Sequence, residues 1–70
     1  MKDLDYKLKL AEQLTENMSN RSALIKMGFI IENEVWRNNK FLHYTGYIPD
    51  PKHPVDPIAQ ILYDGKIKIR

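Results

Sequence analysis

Chemistry at neutral pH needs side chains that titrate or attack, and this chain offers few of them. Cysteine is absent, which removes thiol nucleophiles, disulfides and thiolate metal sites together and fits a reducing compartment. The remaining nucleophile candidates are Thr15, Ser19, Ser22, Thr45 and the lysines, none of them set in a G-x-S-x-G or S-x-x-K frame. Glu32 and Glu34 stand two apart, so on a strand they would share a face about 7 Å from one another. Paired carboxylates can do acid-base work, but on an open strand they read as a solvated face. His43 and His53 are the two histidines. His53 sits near Asp50 and Asp56 without the four closely spaced ligands that a structural zinc site wants. Gly28, Gly46 and Gly65 stand singly, which leaves no phosphate-cradling loop. The expectation is a non-enzymatic chain with no catalytic residue, no metal site and no cofactor.

At 70 residues there is room for one small domain, residues 1–70, and a chain of this size buries only about 60% of the surface its unfolded form exposes. Chains so short commonly lean on a disulfide, a metal or a partner. With the first two set aside, a partner, a second copy or idealised packing remains. Eleven basic and nine acidic residues give a net charge of +2, too small to argue nucleic-acid binding by itself. Residues 1–35 hold five basic and six acidic groups, whereas residues 36–70 hold six basic and three acidic. The longest apolar run is Phe29-Ile30-Ile31, far short of the roughly 20 residues of a membrane span. The opening MKDLDYKLKL is interrupted by charge too often for a secretory signal. The expected location is therefore cytoplasmic.

The elements that would position these residues follow from periodicity. Leu4, Leu8, Ala11, Leu14 and Met18 recur at helical spacing and predict an amphipathic helix from about Asp3 to Asn17. Ser19, Asn20 or Ser22 can cap a second, short helix through Ala23, Leu24 and Met27, with Gly28 ending it in the left-handed conformation. From Phe29 the period becomes 2, and FIIENEVWR, Asn38-Asn39 and KFLHYTGYI read as a hairpin on a type I′ turn. An unbroken register pairs Trp36 with Phe41, Ile30 with Tyr47 and Glu34 with His43. It puts Phe29, Ile31, Val35, Leu42, Tyr44 and Ile48 on one face, interrupted by Asn33 and Gly46.

Pro49, Pro51, Pro54 and Pro57 mark a stiff connector. Pro51, Pro54 and Pro57 recur at the polyproline II interval, a ligand-like pattern that reads first as a rigid crossover. The tail IAQILYDGKIKIR contains Asp64-Gly65 between apolar flanks and predicts a second hairpin with a two-residue loop, Ile58, Gln60, Leu62, Ile67 and Ile69 sharing a face. The competing reading is a short helix from Pro57 to Tyr63, capped by Asp56 and ended by Gly65, followed by one strand from Lys66 to Arg70. The hairpin is the reading adopted. The expected fold is α+β in the order α-α-β-β-β-β, two N-terminal helices packed on a small antiparallel sheet of two hairpins.

In that register Ile30, Trp36, Phe41 and Tyr47 lie together on the second hairpin face, among Glu32, Glu34, His43 and Thr45. Large apolar pairs rimmed by polar groups have the composition of a protein-binding surface. The expected function is a small protein-binding module, acting as a homodimer or as an accessory or inhibitory subunit of another protein. The alternative rests on arrangement: two helices and then a hairpin tipped by Arg37-Asn38-Asn39-Lys40 resembles the last part of a winged helix. That resemblance implies DNA binding through Asn20, Arg21 and Lys26 on the second helix and Arg37 and Lys40 at the hairpin tip.

Overall fold

A computed structural model describes residues 2–70, with side chains from residue 3 onward. Helices α1 (Lys2–Asn17) and α2 (Arg21–Lys26) precede four strands, β1 (Ile30–Arg37), β2 (Lys40–Ile48), β3 (Ala59–Ile61) and β4 (Ile67–Ile69). The strands form one antiparallel sheet in chain order, as the α-α-β-β-β-β expectation had it. Both helices cover one face, α1 against β4 and α2 against β1. Leu10, Leu14, Leu24, Phe29, Ile48, Ala59 and Ile61 form the core between the layers.

Local chemistry sets the boundaries. The Asn20 side chain accepts from the Ala23 N–H at 3.2 Å and so starts α2. At its end Gly28 takes φ +86°, its N–H donates to Ile25 and the Phe29 N–H donates to Leu24. This is the Schellman pair of bonds, and it folds Phe29 back into the core beside Leu24. Asn38 and Asn39 both hold positive φ, 53° and 64°, the conformation a type I′ turn needs. The Tyr44 N–H donates to the Met18 carbonyl at 2.9 Å, tying the connection between the helices to β2.

The first helix buries only the C-terminal part of the stripe its spacing predicts, with Leu14 buried, Ala11 half-buried and Met18 packed against the core. Leu10 and Leu14 are buried, whereas Leu4 and Leu8 are 57% and 61% exposed. About 24 Å of helix overruns the part of the sheet it packs against, so only its C-terminal half finds cover. Leu10, one turn before Leu14, takes the core position expected of Ala11 and Leu8.

The first hairpin keeps its predicted register only at its two ends. Ile30 pairs with Tyr47 and Ile31 with Gly46, then Asn33, Glu34 and Val35 pair with Thr45, Tyr44 and His43, before Trp36 rejoins Phe41 and Arg37 rejoins Lys40. Glu32 is an extra residue on β1 and Leu42 an extra residue on β2, so two bulges cancel. From Asn33 to Arg37 every side chain of β1 changes faces relative to an unbroken register, and so does Phe41 on β2. Val35 and His43 are therefore opposite one another, and the expected pairing of Glu34 with His43 is replaced by Glu34 with Tyr44. Gly46 permits the first bulge. A Cβ there would lie 2.0 Å from the Ile30 carbonyl oxygen and 2.7 Å from the Phe29 ring.

The second hairpin is also displaced by one. Ala59 pairs with Ile69 and Ile61 with Ile67, and the Leu62 N–H donates to Lys66 at 2.8 Å, so the loop holds three residues, Tyr63-Asp64-Gly65. Gly65 supplies the left-handed position that such a loop uses, φ +83°. The extra loop residue turns Ala59 and Ile61 to the core in place of Leu62 and Gln60, and leaves Leu62 exposed. Residues 59–61 are strand, so the helical reading of 57–63 is set aside. The proline connector is no polyproline helix: His53 N–H donates to Asp50 and Asp56 N–H to His53, which makes two successive turns.

Gly46→Ala is expected to destabilise the fold by about 3 kcal/mol or more, because backbone and a core ring occupy the space of the new methyl group. Gly28→Ala meets nothing within 4 Å and should cost only about 1 to 2 kcal/mol for its left-handed φ. Urea unfolding of both variants against wild type reads the difference.

Candidate functional site

The hairpin end carries a chain of three rings. Trp36 packs edge-on against Phe41 with centroids 5.5 Å apart, and Phe41 meets Tyr44 at 4.9 Å. Tyr44 in turn packs against the buried core. Edge and tilted arrangements of this kind contribute about 0.5 to 1.5 kcal/mol each beyond area burial. The Trp36 Nε1–H donates to Glu34 Oε1 at 2.9 Å, two residues back on the same face. Trp36 nevertheless remains 55% exposed. Its orientation is thus set from the edge and from below while its outer face stays open. The rings extend the helix-covered side of the sheet past the point where the helices end.

The bulges divide the four residues expected to form one aromatic patch. Trp36 and Phe41 lie on the helix side, whereas Ile30 and Tyr47 point to the opposite face, in one row with Gln60 and Lys68. There Tyr47 and Gln60 line an open groove of about 500 Å³ whose walls are Pro49, Pro54 and Pro57 of the connector, with Glu32 at its rim. Ile30 is 45% exposed. The nucleic-acid candidates fall on two elements, α2 with its cap and the hairpin tip. Asn20 has its side-chain oxygen engaged in capping α2, Arg21 and Lys26 occupy opposite ends of that helix, and Arg37 and Lys40 pair across the hairpin turn.

The titratable groups are held by structure. His43 is buried, 7% exposed, and its Nδ1 lies 2.9 Å from the Tyr44 carbonyl. A carbonyl only accepts, so Nδ1 is the donor in this contact, and Nε2 faces the loop at Gly65. The Thr15 hydroxyl donates to the Ala11 carbonyl. Among the described residues no group of three or more His, Asp or Glu side chains comes together. Arg70 makes two side-chain contacts: its Nη1 donates to the Asp56 carbonyl at 3.0 Å and its Nη2 to Asp50 Oδ2. It fastens the proline connector to the end of the chain.

The Arg70 guanidinium, followed by the Lys52 N–H, holds the Asp50 carboxyl below its ordinary range. No protein-family model, no curated protein and no solved structure matches this chain, so its site is read from its own geometry. Periodicity missed the roles of Tyr44, assigned only to the core, and of Glu34, assigned to His43. The signal for the second was Glu34-Val35-Trp36 itself, since residues two apart on a strand share a face.

A carboxyl depressed in the fold adds stability that is complete above its unfolded pKa of about 3.9 and is lost as pH falls through its lower folded value. The connector is accordingly expected to stay fastened across neutral pH and to loosen only below about pH 4. Asp50→Asn should remove that acid-side component, which unfolding midpoints measured as a function of pH would show as a flatter acid limb than wild type.

Proposed function

We propose that this chain is a non-catalytic protein-binding module and that the hairpin end bearing Trp36 and Phe41 is where it meets a partner protein. One observation carries this reading: a tryptophan left 55% exposed although both its edge and its N–H are fixed by Phe41 and Glu34. Holding a large exposed ring in one orientation lowers the entropy lost on association. Tryptophan is also among the residues that dominate binding energies when a partner covers them. Leu42, 39% exposed on the neighbouring strand, adds apolar area at the same end, and Arg37 and Lys40 give it a polar rim.

Trp36→Ala is expected to weaken partner binding by roughly 2 kcal/mol, or about thirtyfold, while circular dichroism stays native because Trp36 is 55% exposed and lies outside the core cluster. Ile30→Ala, on the opposite face, should bind as wild type does. Quantitative pull-down with the three chains as bait makes the comparison. Equal retention by wild type and Trp36→Ala would overturn the reading. So would salt-sensitive binding of duplex DNA that Arg37→Gln and Lys40→Gln remove, which would favour the winged-helix-like alternative.

A further inference from the structure

The overrunning half of α1 has a pattern that the protein-binding reading does not use. Leu4, Tyr6 and Leu8 are all more than half exposed, and Leu4 and Leu8 lie one turn apart on one side of the helix, in line with the half-buried Ala11. The residues run Asp3-Leu4-Asp5-Tyr6-Lys7-Leu8-Lys9. Inverting that order about Tyr6 returns leucine to leucine and exchanges every acid with a base. Asp3 with Lys7 and Asp5 with Lys9 have the spacing of intrahelical ion pairs. Among the described residues, however, the ion pairs are Lys66 with Asp64 and Arg70 with Asp50. Among the described residues Asp3, Asp5, Lys7 and Lys9 make no ion pair with one another.

We infer that the first two turns of α1 pair antiparallel with the same turns of a second copy, about a two-fold axis at the height of residue 6 on the Leu4 and Leu8 side of the helix. Leu4 of each chain then rests against Leu8 of its partner, and the Asp3 and Asp5 end of each lies beside the Lys7 and Lys9 segment of the other. Parallel pairing would set like charges side by side, so the charge order selects one direction. Antiparallel packing also opposes the two helix dipoles. A two-fold contact uses the same patch on both subunits and closes at the dimer. The patch is short, below the roughly 1,200 Å² total of a standard interface. The dimer is therefore weak and salt-sensitive, with dissociation in the micromolar to millimolar range.

Sedimentation equilibrium of the full chain over a concentration series tests it with an acidic variant, Lys7→Glu with Lys9→Glu, and a basic variant, Asp3→Lys with Asp5→Lys. Wild type is expected to dimerise, each variant alone to associate at least tenfold more weakly, and their equimolar mixture to recover association. Leu4→Ser with Leu8→Ser, both at exposed positions, should remove the dimer without touching the core. A wild type that stays monomeric at every concentration, variants that associate alone as tightly as wild type, or a leucine variant that still dimerises would each overturn the pairing. Trp36→Ala should leave this dimer intact, so failure here and failure of the Trp36 reading appear in different variants.

Discussion

The close approach of the Ile30 carbonyl to Gly46 governs more of this structure than any other single contact. Strand β1 comes so near β2 at this point that no side chain fits between them, and the Phe29 ring uses the vacated space to enter the core. The bulge at Glu32 follows directly, since a strand drawn in at one residue must take up an extra one before resuming its ladder. A second bulge at Leu42 restores the register in time for the type I′ turn. Everything displayed on the hairpin beyond Gly46 depends on this pair of shifts.

Their effect is to sort side chains between the two faces. Val35 and His43 turn to the side closed over by the Tyr63-Asp64-Gly65 loop, where both are buried. Trp36, Phe41 and Tyr44 turn to the side of the helices, forming a line of rings that starts in the core and ends in the open. A hairpin of nine-residue reach is thereby stiffened along its length from within, without a third strand beside its tip. The other face is handled differently: the proline connector crosses over Tyr47 and Gln60 and is fastened by Arg70.

The element order, the caps and both turn positions were legible in the sequence because each rests on a local rule. Gly28 can hold a left-handed C′ position, and Asn38-Asn39 can hold two positive φ angles, wherever they occur. The faces were legible only in part, since Phe29, Ile31, Tyr44 and Ile48 share the core side whereas Val35, Trp36 and Phe41 take sides that an unbroken register does not give them. Period-2 reasoning assigns a residue to a side by counting, and one extra residue, Glu32 or Leu42 in the ladder or Tyr63 in the loop, reverses every assignment beyond it. Gly46 was the available clue, since an isolated glycine in a strand commonly marks a bulge or a close backbone approach. For α1 the stripe was read from spacing alone, which carries no information on how far the sheet extends beneath the helix. Hence Leu4 and Leu8 were assigned to a core that ends at Leu10. The aromatic candidates were identified as residues but not as a surface, because their grouping depended on the same count.

The packing of α1 against β4 also orders the events of folding. Each strand pairs with its neighbour in sequence, so the sheet can grow by short loop closures, beginning at Asn38-Asn39, where the turn conformation is intrinsically favoured. Helix α1 is the exception, for Leu10 and Leu14 must wait for Ile67 and Ile69, more than fifty residues later. Helix α1 is thus among the last of these elements to have its full cover in place. Until β4 exists, the Leu10 and Leu14 side of that helix has only Leu24, Phe29 and Ile48 to pack against, and the part that β4 covers stays open in the growing chain.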